Sequence, residues 1–206
     1  MAEPDRPQIY LVTPPDVDLE NFPDRLAEVL DGAEIACLRL ALASRDEDRL
    51  LRSADTLREI AHARDVALVI ENHVMLVERL GLDGVHLTDG ARSVRKARKD
   101  LGADAIVGAF CGGSRHDGMN AGEAGADYVS FGPLGASPLG TGDLAEFDLF
   151  QWWSEVIEVP VVGEGALTTE LVARFAPVTD FFAIGEEIWR EADALAALKR
   201  LLAPLG

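Results

Sequence analysis

Short apolar runs alternate along this chain with longer segments of helical period, and this alternation is the strongest constraint on its fold. The runs are rich in β-branched residues, and most of them stop at glycine, proline or a polar residue. Alternation of this kind is typical of βα units that build a parallel sheet. We predict eight strands, at residues 9–13, 35–40, 67–70, 84–87, 105–110, 125–133, 159–162 and 180–184.

Eight βα units with no linker between them predict a single (β/α)8 barrel, the TIM barrel, over residues 1–206. An open doubly wound sheet is the alternative, and it requires a Gly-x-Gly-x-x-Gly turn after the first strand. The chain has Thr13-Pro14-Pro15 there, so the barrel is the preferred interpretation. Loops that follow the strands of a barrel form its active site, so we look for functional residues at the strand ends.

Composition excludes several classes of partner. The formal charge of −17, from 36 acidic and 19 basic residues, argues against nucleic acid and against an anionic membrane surface. No apolar run has the length of a membrane span, and the polar N-terminus does not resemble a signal peptide. Cys37 and Cys111 lie in strand-like stretches without metal-ligand spacing, which predicts buried, reduced thiols and a cytoplasmic location.

Motifs in this chain resemble those of the thiamine phosphate synthase family and of its relatives, the thiazole tautomerases. They lie at residues 9–13, 38–39, 68–72, 83–87, 125–133 and 160–163. The resemblance extends over nearly the whole chain, and it is most specific in the fourth and sixth strands. It implies a barrel with small-molecule substrates, which joins a hydroxymethylpyrimidine pyrophosphate to a thiazole phosphate with the help of Mg²⁺.

The resemblance implies two catalytic candidates, Arg39 and Ser137. A Gln-x-Arg-x-Lys pattern binds pyrophosphate in the family, and here only Arg39 of that pattern is kept. Its planar guanidinium suits a phosphate or a carboxylate; an interior arginine paired with Glu71 is the equally weighted alternative. After the sixth strand the family has Pro-Thr-x-Thr-Lys. This chain has Gly140 in place of the lysine, although Ser137 and Thr141 keep hydroxyl groups, and Thr141 is a candidate substrate contact.

Asn72 and Asp89 are the candidate metal ligands. The family has Asn-Asp after the third strand, where this chain has Glu71-Asn72, and Asp89 follows the fourth strand from an altered position. A displaced Mg²⁺ site built from Asn72 and Asp89 is one interpretation, and a metal-free hydrogen-bond network is the other. Asn72 and His73 are also candidate substrate-binding residues, since both lie near the expected mouth of the barrel.

Gly163, Gly165 and Gly185 are expected to bind a phosphate through backbone N–H groups. They follow the seventh and eighth strands, where barrels of this kind commonly hold phosphate. Glu164 and Glu186 lie beside these glycines, and like charges a few ångströms apart repel by about 1 kcal/mol or more even in strongly screening solvent. We expect both carboxylates to face this phosphate site and to disfavour phosphate binding.

Three functions fit the sequence. The first is the synthase reaction, although most of the family's pyrophosphate clamp and phosphate site is altered. The second is a tautomerase-like isomerase, for which His116 is the candidate base because Gly112 stands where that group has its histidine. The third is a repurposed barrel that binds a neutral or cationic molecule. His86 is expected to be structural. An aromatic cluster at residues 147–153 predicts packing against the barrel, with a homo-oligomer interface as the alternative.

Overall fold

Eight parallel strands close into a barrel in strict sequence order in the computed structural model, which describes residues 6–44 and 46–206. The eighth strand pairs with the first and completes the closure. The predicted TIM barrel is confirmed. The strands are β1 Gln8–Val12, β2 Cys37–Leu40, β3 Ala67–Glu71, β4 Gly84–Leu87, β5 Ile106–Phe110, β6 Tyr128–Phe131, β7 Val161–Glu164 and β8 Phe181–Ile184.

Helices surround the strands. They are α1 Phe22–Gly32, α2 Glu47–His62, α3 Val74–Leu80, α4 Val94–Leu101, α5 Arg115–Ala124, α6 Phe147–Val156, α7 Thr169–Phe175, α8 Glu186–Trp189 and α9 Ala194–Leu201. The sequence predicts one continuous last helix, but the structure divides it into α8 and α9. The division is stabilised by Asp193, whose side chain accepts a hydrogen bond from the backbone N–H of Ala196 and so starts α9.

Side chains alternate along each strand between two layers with different compositions. The outer layer, between strands and helices, is apolar and forms the main core. Phe150 and Trp153 of α6 are buried in it, while Phe147 and Trp152 pack against it, which confirms the predicted packing role of this cluster. The homo-oligomer remains a prediction.

The inner layer is small and partly polar. Its apolar part consists of Tyr10, Cys37, Val69, Tyr128, Val162 and Ala183. Burial raises the pKa of the Cys37 thiol to about 12, and it raises that of Cys111 to about 12 as well. Both cysteines are free and buried, as predicted, and such thiols are poor nucleophiles.

Gly108 on β5 makes room for the polar part of the inner layer. It pairs with His86 of β4 on one side and with Tyr128 of β6 on the other. A Cβ atom at Gly108 would lie 2.0 Å from the Tyr128 ring, so no larger residue fits without moving that ring. The side chains of His86 on β4 and Tyr128 on β6 therefore meet across β5, which has no side chain at this level.

No helix in the described ranges, 6–44 and 46–206, is long and apolar enough to cross a membrane.

Candidate active site

Arg39 lies inside the barrel near its carboxyl end. In β2 the side chains of Leu38 and Leu40 belong to the outer core, so the alternation along the strand turns Arg39 inward. Only 4% of its surface is exposed. A buried guanidinium needs an anionic partner and several acceptors, and the inner layer supplies both.

Glu164 at the end of β7 is the main partner of Arg39. The guanidinium donates to both carboxylate oxygens, over 2.6 Å from Nη2 to Oε2 and 3.3 Å from Nη1 to Oε1. Glu164 is itself only 4% exposed. Burial alone would lower the pKa of Arg39, but Glu164 raises it well above its usual value, so the arginine stays charged.

Glu71 at the end of β3 is a second, looser partner. Its Oε1 lies 3.3 Å from Arg39 Nε, which is an ion-pair distance. Within the described part of the chain, however, Arg39 Nε makes no hydrogen bond, because its N–H does not point at that oxygen. Burial raises the pKa of Glu71, with a further contribution from Glu164 and an opposing one from Arg39. The predicted pairing of Arg39 with Glu71 is therefore present but secondary.

A chain of buried hydrogen bonds continues from Arg39 down the barrel. Arg39 Nη1 lies 2.7 Å from His86 Nε2, His86 Nδ1 lies 2.9 Å from the Tyr128 hydroxyl, and that hydroxyl lies 2.6 Å from the Tyr10 hydroxyl. A guanidinium only donates, so His86 Nε2 must accept and Nδ1 must carry the proton. His86 donates to Tyr128, which leaves the Tyr128 proton for Tyr10.

His86 is neutral in this arrangement. Burial, together with the positive charge of Arg39, lowers its pKa well below 6.5. It is 1% exposed and stacks on Tyr128, with 5.8 Å between ring centroids. This position supports the structural role expected for His86.

The loops after β7 and β8 are joined by a residue that the sequence analysis did not single out. Glu187 Oε1 accepts the backbone N–H of Leu167 over 3.1 Å, and its Oε2 accepts the N–H of Gly185 over 2.8 Å. One carboxylate thus binds one N–H group from each loop. Gly185 directly follows β8, whereas Glu187 lies three positions after β8 and Leu167 lies three positions after β7.

The chain matches a family model and several named proteins over most of its length. The family model described as thiamine monophosphate synthase matches residues 9–186, from the first strand to the loop after the last. The chain belongs to this family. Named relatives include the thiamine-phosphate synthase of Rhodospirillum centenum, 39% identical over 92% of this chain and 93% of the relative. That of Erythrobacter litoralis is 36% identical over 97% and 96%.

A solved structure shows the same fold. The thiamine phosphate pyrophosphorylase of Pyrococcus furiosus superposes with a TM-score of 0.81 and covers 96% of this chain and 95% of its own. At 20% identity this likeness concerns the fold alone. The resemblance inferred from the strand motifs is thus confirmed at the level of the family.

Asn72 and Asp89, the family-derived metal candidates, are engaged elsewhere. Asn72 Oδ1 accepts from both the backbone N–H and the hydroxyl of Thr88, over 3.0 and 3.1 Å. Asp89 accepts from the Ser93 hydroxyl over 2.6 Å. Among residues 6–44 and 46–206, no three histidine, cysteine or acidic side chains come together to hold a metal. A magnesium site at Asn72 and Asp89 stays a prediction.

The loop after β6 carries Ser137 and Thr141, whose contacts lie within the loop. Ser137 Oγ accepts from the N–H of Leu139 over 3.2 Å, and the Thr141 hydroxyl donates to Asp143 over 2.9 Å. Thr141 is exposed and Ser137 is partly exposed, so both can be reached from solvent. Their roles in substrate binding and catalysis stay predictions.

The three glycines predicted to bind phosphate lie in different settings. Gly163 is inside β7, and a side chain there would meet Phe150 and the outer core. Gly165 has a positive φ of 95° and packs against Pro133. Gly185 directs its N–H to Glu187.

Glu164 and Glu186 were both expected to face the phosphate site, and this expectation is wrong for Glu164. Glu164 binds Arg39 inside the barrel instead of facing the N–H groups of the last two loops. Glu186 is exposed. The carboxylate that does meet those N–H groups belongs to Glu187. In the sequence, the signal for this residue is the pair of acids Glu186-Glu187 directly after Gly185. The prediction included only Glu186.

His73 and His116 are both exposed and lie outside the buried network. His73 precedes α3, and His116 in the first turn of α5 pairs with Asn120 over 3.0 Å. Among the hydrogen bonds of the described residues, neither imidazole contacts Arg39, Glu164 or Glu71; only the backbone N–H of His73 donates to the Glu71 carbonyl, over 2.7 Å.

Proposed function

We propose that this protein is a transferase of the thiamine-phosphate synthase type. It joins a pyrimidine pyrophosphate to a thiazole half at the carboxyl end of the barrel. The observation that carries this proposal is the extent of the family match, residues 9–186, because that range includes the carboxyl ends of all eight strands. Relatives named thiamine-phosphate synthase support it over more than nine tenths of the chain.

The proposal gives Arg39 and Ser137 distinct roles. Arg39 supplies positive charge beneath the mouth, where a pyrophosphate leaving group gains from a nearby cation. Its charge is shared with Glu164, so its contribution is smaller than that of a free guanidinium. Ser137 offers a hydroxyl donor from the loop after β6, because its oxygen accepts from Leu139 while its proton stays available.

Incubation with both phosphorylated halves and Mg²⁺ tests the proposal, with thiamine phosphate measured as its fluorescent oxidation product. We expect product above a no-enzyme blank, and we expect Ser137→Ala to lower the rate by about tenfold, the loss of one ordinary hydrogen bond. Ser154→Ala is the matched control, since that hydroxyl donates to a carbonyl on the outer helix α6. Absence of product at high enzyme concentration would sink the proposal.

Magnesium dependence stays a prediction taken from the family. Asn72 and Asp89 would have to release Thr88 and Ser93 before they could bind the ion. Omission of Mg²⁺ from the same assay tests the dependence. An Asn72→Ala variant with unchanged Mg²⁺ response would show that the ion arrives with the pyrophosphate and not through Asn72.

A second candidate function is a barrel that binds a neutral or cationic molecule without group transfer. It is favoured by the Arg39–Glu164 pair, because this pair leaves the interior arginine bound to the chain's own carboxylate. Calorimetry separates the two functions. Binding of free thiamine with no binding of the pyrimidine pyrophosphate supports the second, and the reverse result supports the first.

A further inference from the structure

The loops after β7 and β8 form the part of a (β/α)8 barrel that most often holds a phosphate group. They do so by directing backbone N–H groups at its oxygens. In this protein the N–H groups of Leu167 and Gly185 point instead at Glu187, over 3.1 and 2.8 Å. The two donors come from different loops, so the carboxylate spans the gap between them much as two oxygens of a phosphate would.

We propose that the Glu187 carboxylate occupies the phosphate position of this barrel, so that the ligand presents a hydrogen-bond donor there, a hydroxyl or an ammonium group. This inference rests on the proposed function, because it specifies the end group of the thiazole half. It predicts that this half binds as the alcohol at least as well as the phosphate ester.

Charge around this position supports the proposal. A phosphate that entered would have to displace Glu187 from two charge-assisted hydrogen bonds, which are the stronger kind. The displaced carboxylate would stay close by, and the neighbouring Glu186, the first residue of α8, is exposed and adds a second negative charge. The interior arginine beneath the mouth compensates only in part, because its charge is shared with Glu164.

The remaining hydrogen-bonding capacity of Glu187 defines the ligand. An ionised carboxylate has about four acceptor positions, and the two N–H groups use two of them. The side chain is partly exposed, so its other positions can be reached. A hydroxyl or ammonium donor completes the set without breaking either existing bond, whereas a fully ionised phosphate ester has no proton to donate and can only replace the carboxylate.

Titration with inorganic phosphate at constant ionic strength tests the proposal without either substrate. We expect Glu187→Ala to bind phosphate at least about tenfold more tightly than the unaltered protein, because two N–H donors become free. Glu187→Gln keeps the shape and removes the charge, so it provides the same test if the alanine variant does not fold. Glu186→Ala is the matched control; it removes an equal charge one residue away and should change the affinity by less than about threefold.

Two results would overturn the proposal. One is equal phosphate affinity in the unaltered protein and in both Glu187 variants, and the other is a gain in Glu186→Ala as large as that in Glu187→Ala. A second titration compares hydroxyethylthiazole with its phosphate ester. We expect the unaltered protein not to prefer the ester and Glu187→Ala to prefer it; a preference for the ester in the unaltered protein contradicts the proposal. Neither titration needs turnover, so a failed synthase assay leaves the result interpretable.

Discussion

Two carboxylates of this barrel bind the groups that an anionic ligand would otherwise use, and they do so in opposite surroundings. Glu164 is 4% exposed and grips Arg39 with both oxygens inside the barrel. Glu187 is partly exposed and holds two backbone N–H groups between loops. Glu164 is held in place by burial, because its departure would leave the buried charge of Arg39 unpaired. Glu187 can be displaced, since water can replace its hydrogen bonds to the two N–H groups.

This difference separates stability from selectivity. Removal of the Glu164 carboxylate should lower the stability of the folded protein, because Arg39 would then lie buried with only the more distant Glu71 as an anionic partner. Loss of Glu187 should mainly change what binds. The predictions below test this separation, beginning with the largest expected effect.

Glu164→Gln should lower the free energy of unfolding by about 3–5 kcal/mol, the cost of breaking a buried ion pair on one side. Urea denaturation measures the change. Glu158→Gln on the exposed surface should stay within about 0.5 kcal/mol of the unaltered protein. Replacing Arg39 and Glu164 together by leucine should recover most of the loss. A Glu164→Gln effect below about 1 kcal/mol would mean that the buried ion pair between Arg39 and Glu164 is not needed for stability.

Tyr128→Phe should cost about 1–3 kcal/mol, because the N–H of His86 loses its buried acceptor and Tyr10 loses its donor. Tyr10→Phe removes only the last bond of the chain, so its effect should be smaller. The same urea titration measures both. Equal effects of the two substitutions would contradict the order of donors and acceptors assigned here.

Stability should fall as the pH drops below about 6.5 through the contribution of His86. Its pKa is lowered in the folded state, so the unfolded chain binds the proton first and gains up to about 1.4 kcal/mol per pH unit. Glu71, whose pKa is raised, has the opposite sign. His86→Gln keeps an acceptor for Arg39 and a donor for Tyr128 without titrating. The slope between pH 5 and 6.5, an interval of about 1.5 units, should flatten in this variant, and an unchanged slope would rule His86 out.

Glu187→Ala should lower stability by only about 1 kcal/mol, since both N–H groups can be hydrated after the change. Thermal unfolding with and without phosphate measures this value together with any stabilisation by the anion. A loss as large as that of Glu164→Gln would remove the contrast between the two carboxylates.

The barrel could be predicted because the same pattern, an apolar strand followed by a helix, occurs eight times along the chain. Every strand has an apolar outer face, and a shift of one or two residues at a strand end does not alter the repeat. The same small shift hid the role of Glu164. The seventh strand was expected at residues 159–162, which places Glu164 in a loop, whereas β7 is Val161–Glu164. Period-two alternation from Val162 then turns Glu164 into the barrel.

The partners of these residues could not be predicted, because closure of the barrel creates them. Arg39 and Glu164 are 125 positions apart, and only the circular order of the strands brings β2 and β7 face to face. Glu187 meets Leu167 because β7 and β8 are neighbours. Local sequence specifies that a carboxylate follows β8, but not which N–H groups it finds.

Gly108 shows how far such a partnership can depend on an absent side chain. His86 and Tyr128 belong to strands that are not paired with each other, and their side chains meet over the backbone of β5 at Gly108. A methyl group at Gly108 would push the Tyr128 ring aside and leave the N–H of His86 Nδ1 without its buried acceptor. The hydrogen bond between His86 and Tyr128 therefore depends on a position that has no side chain of its own.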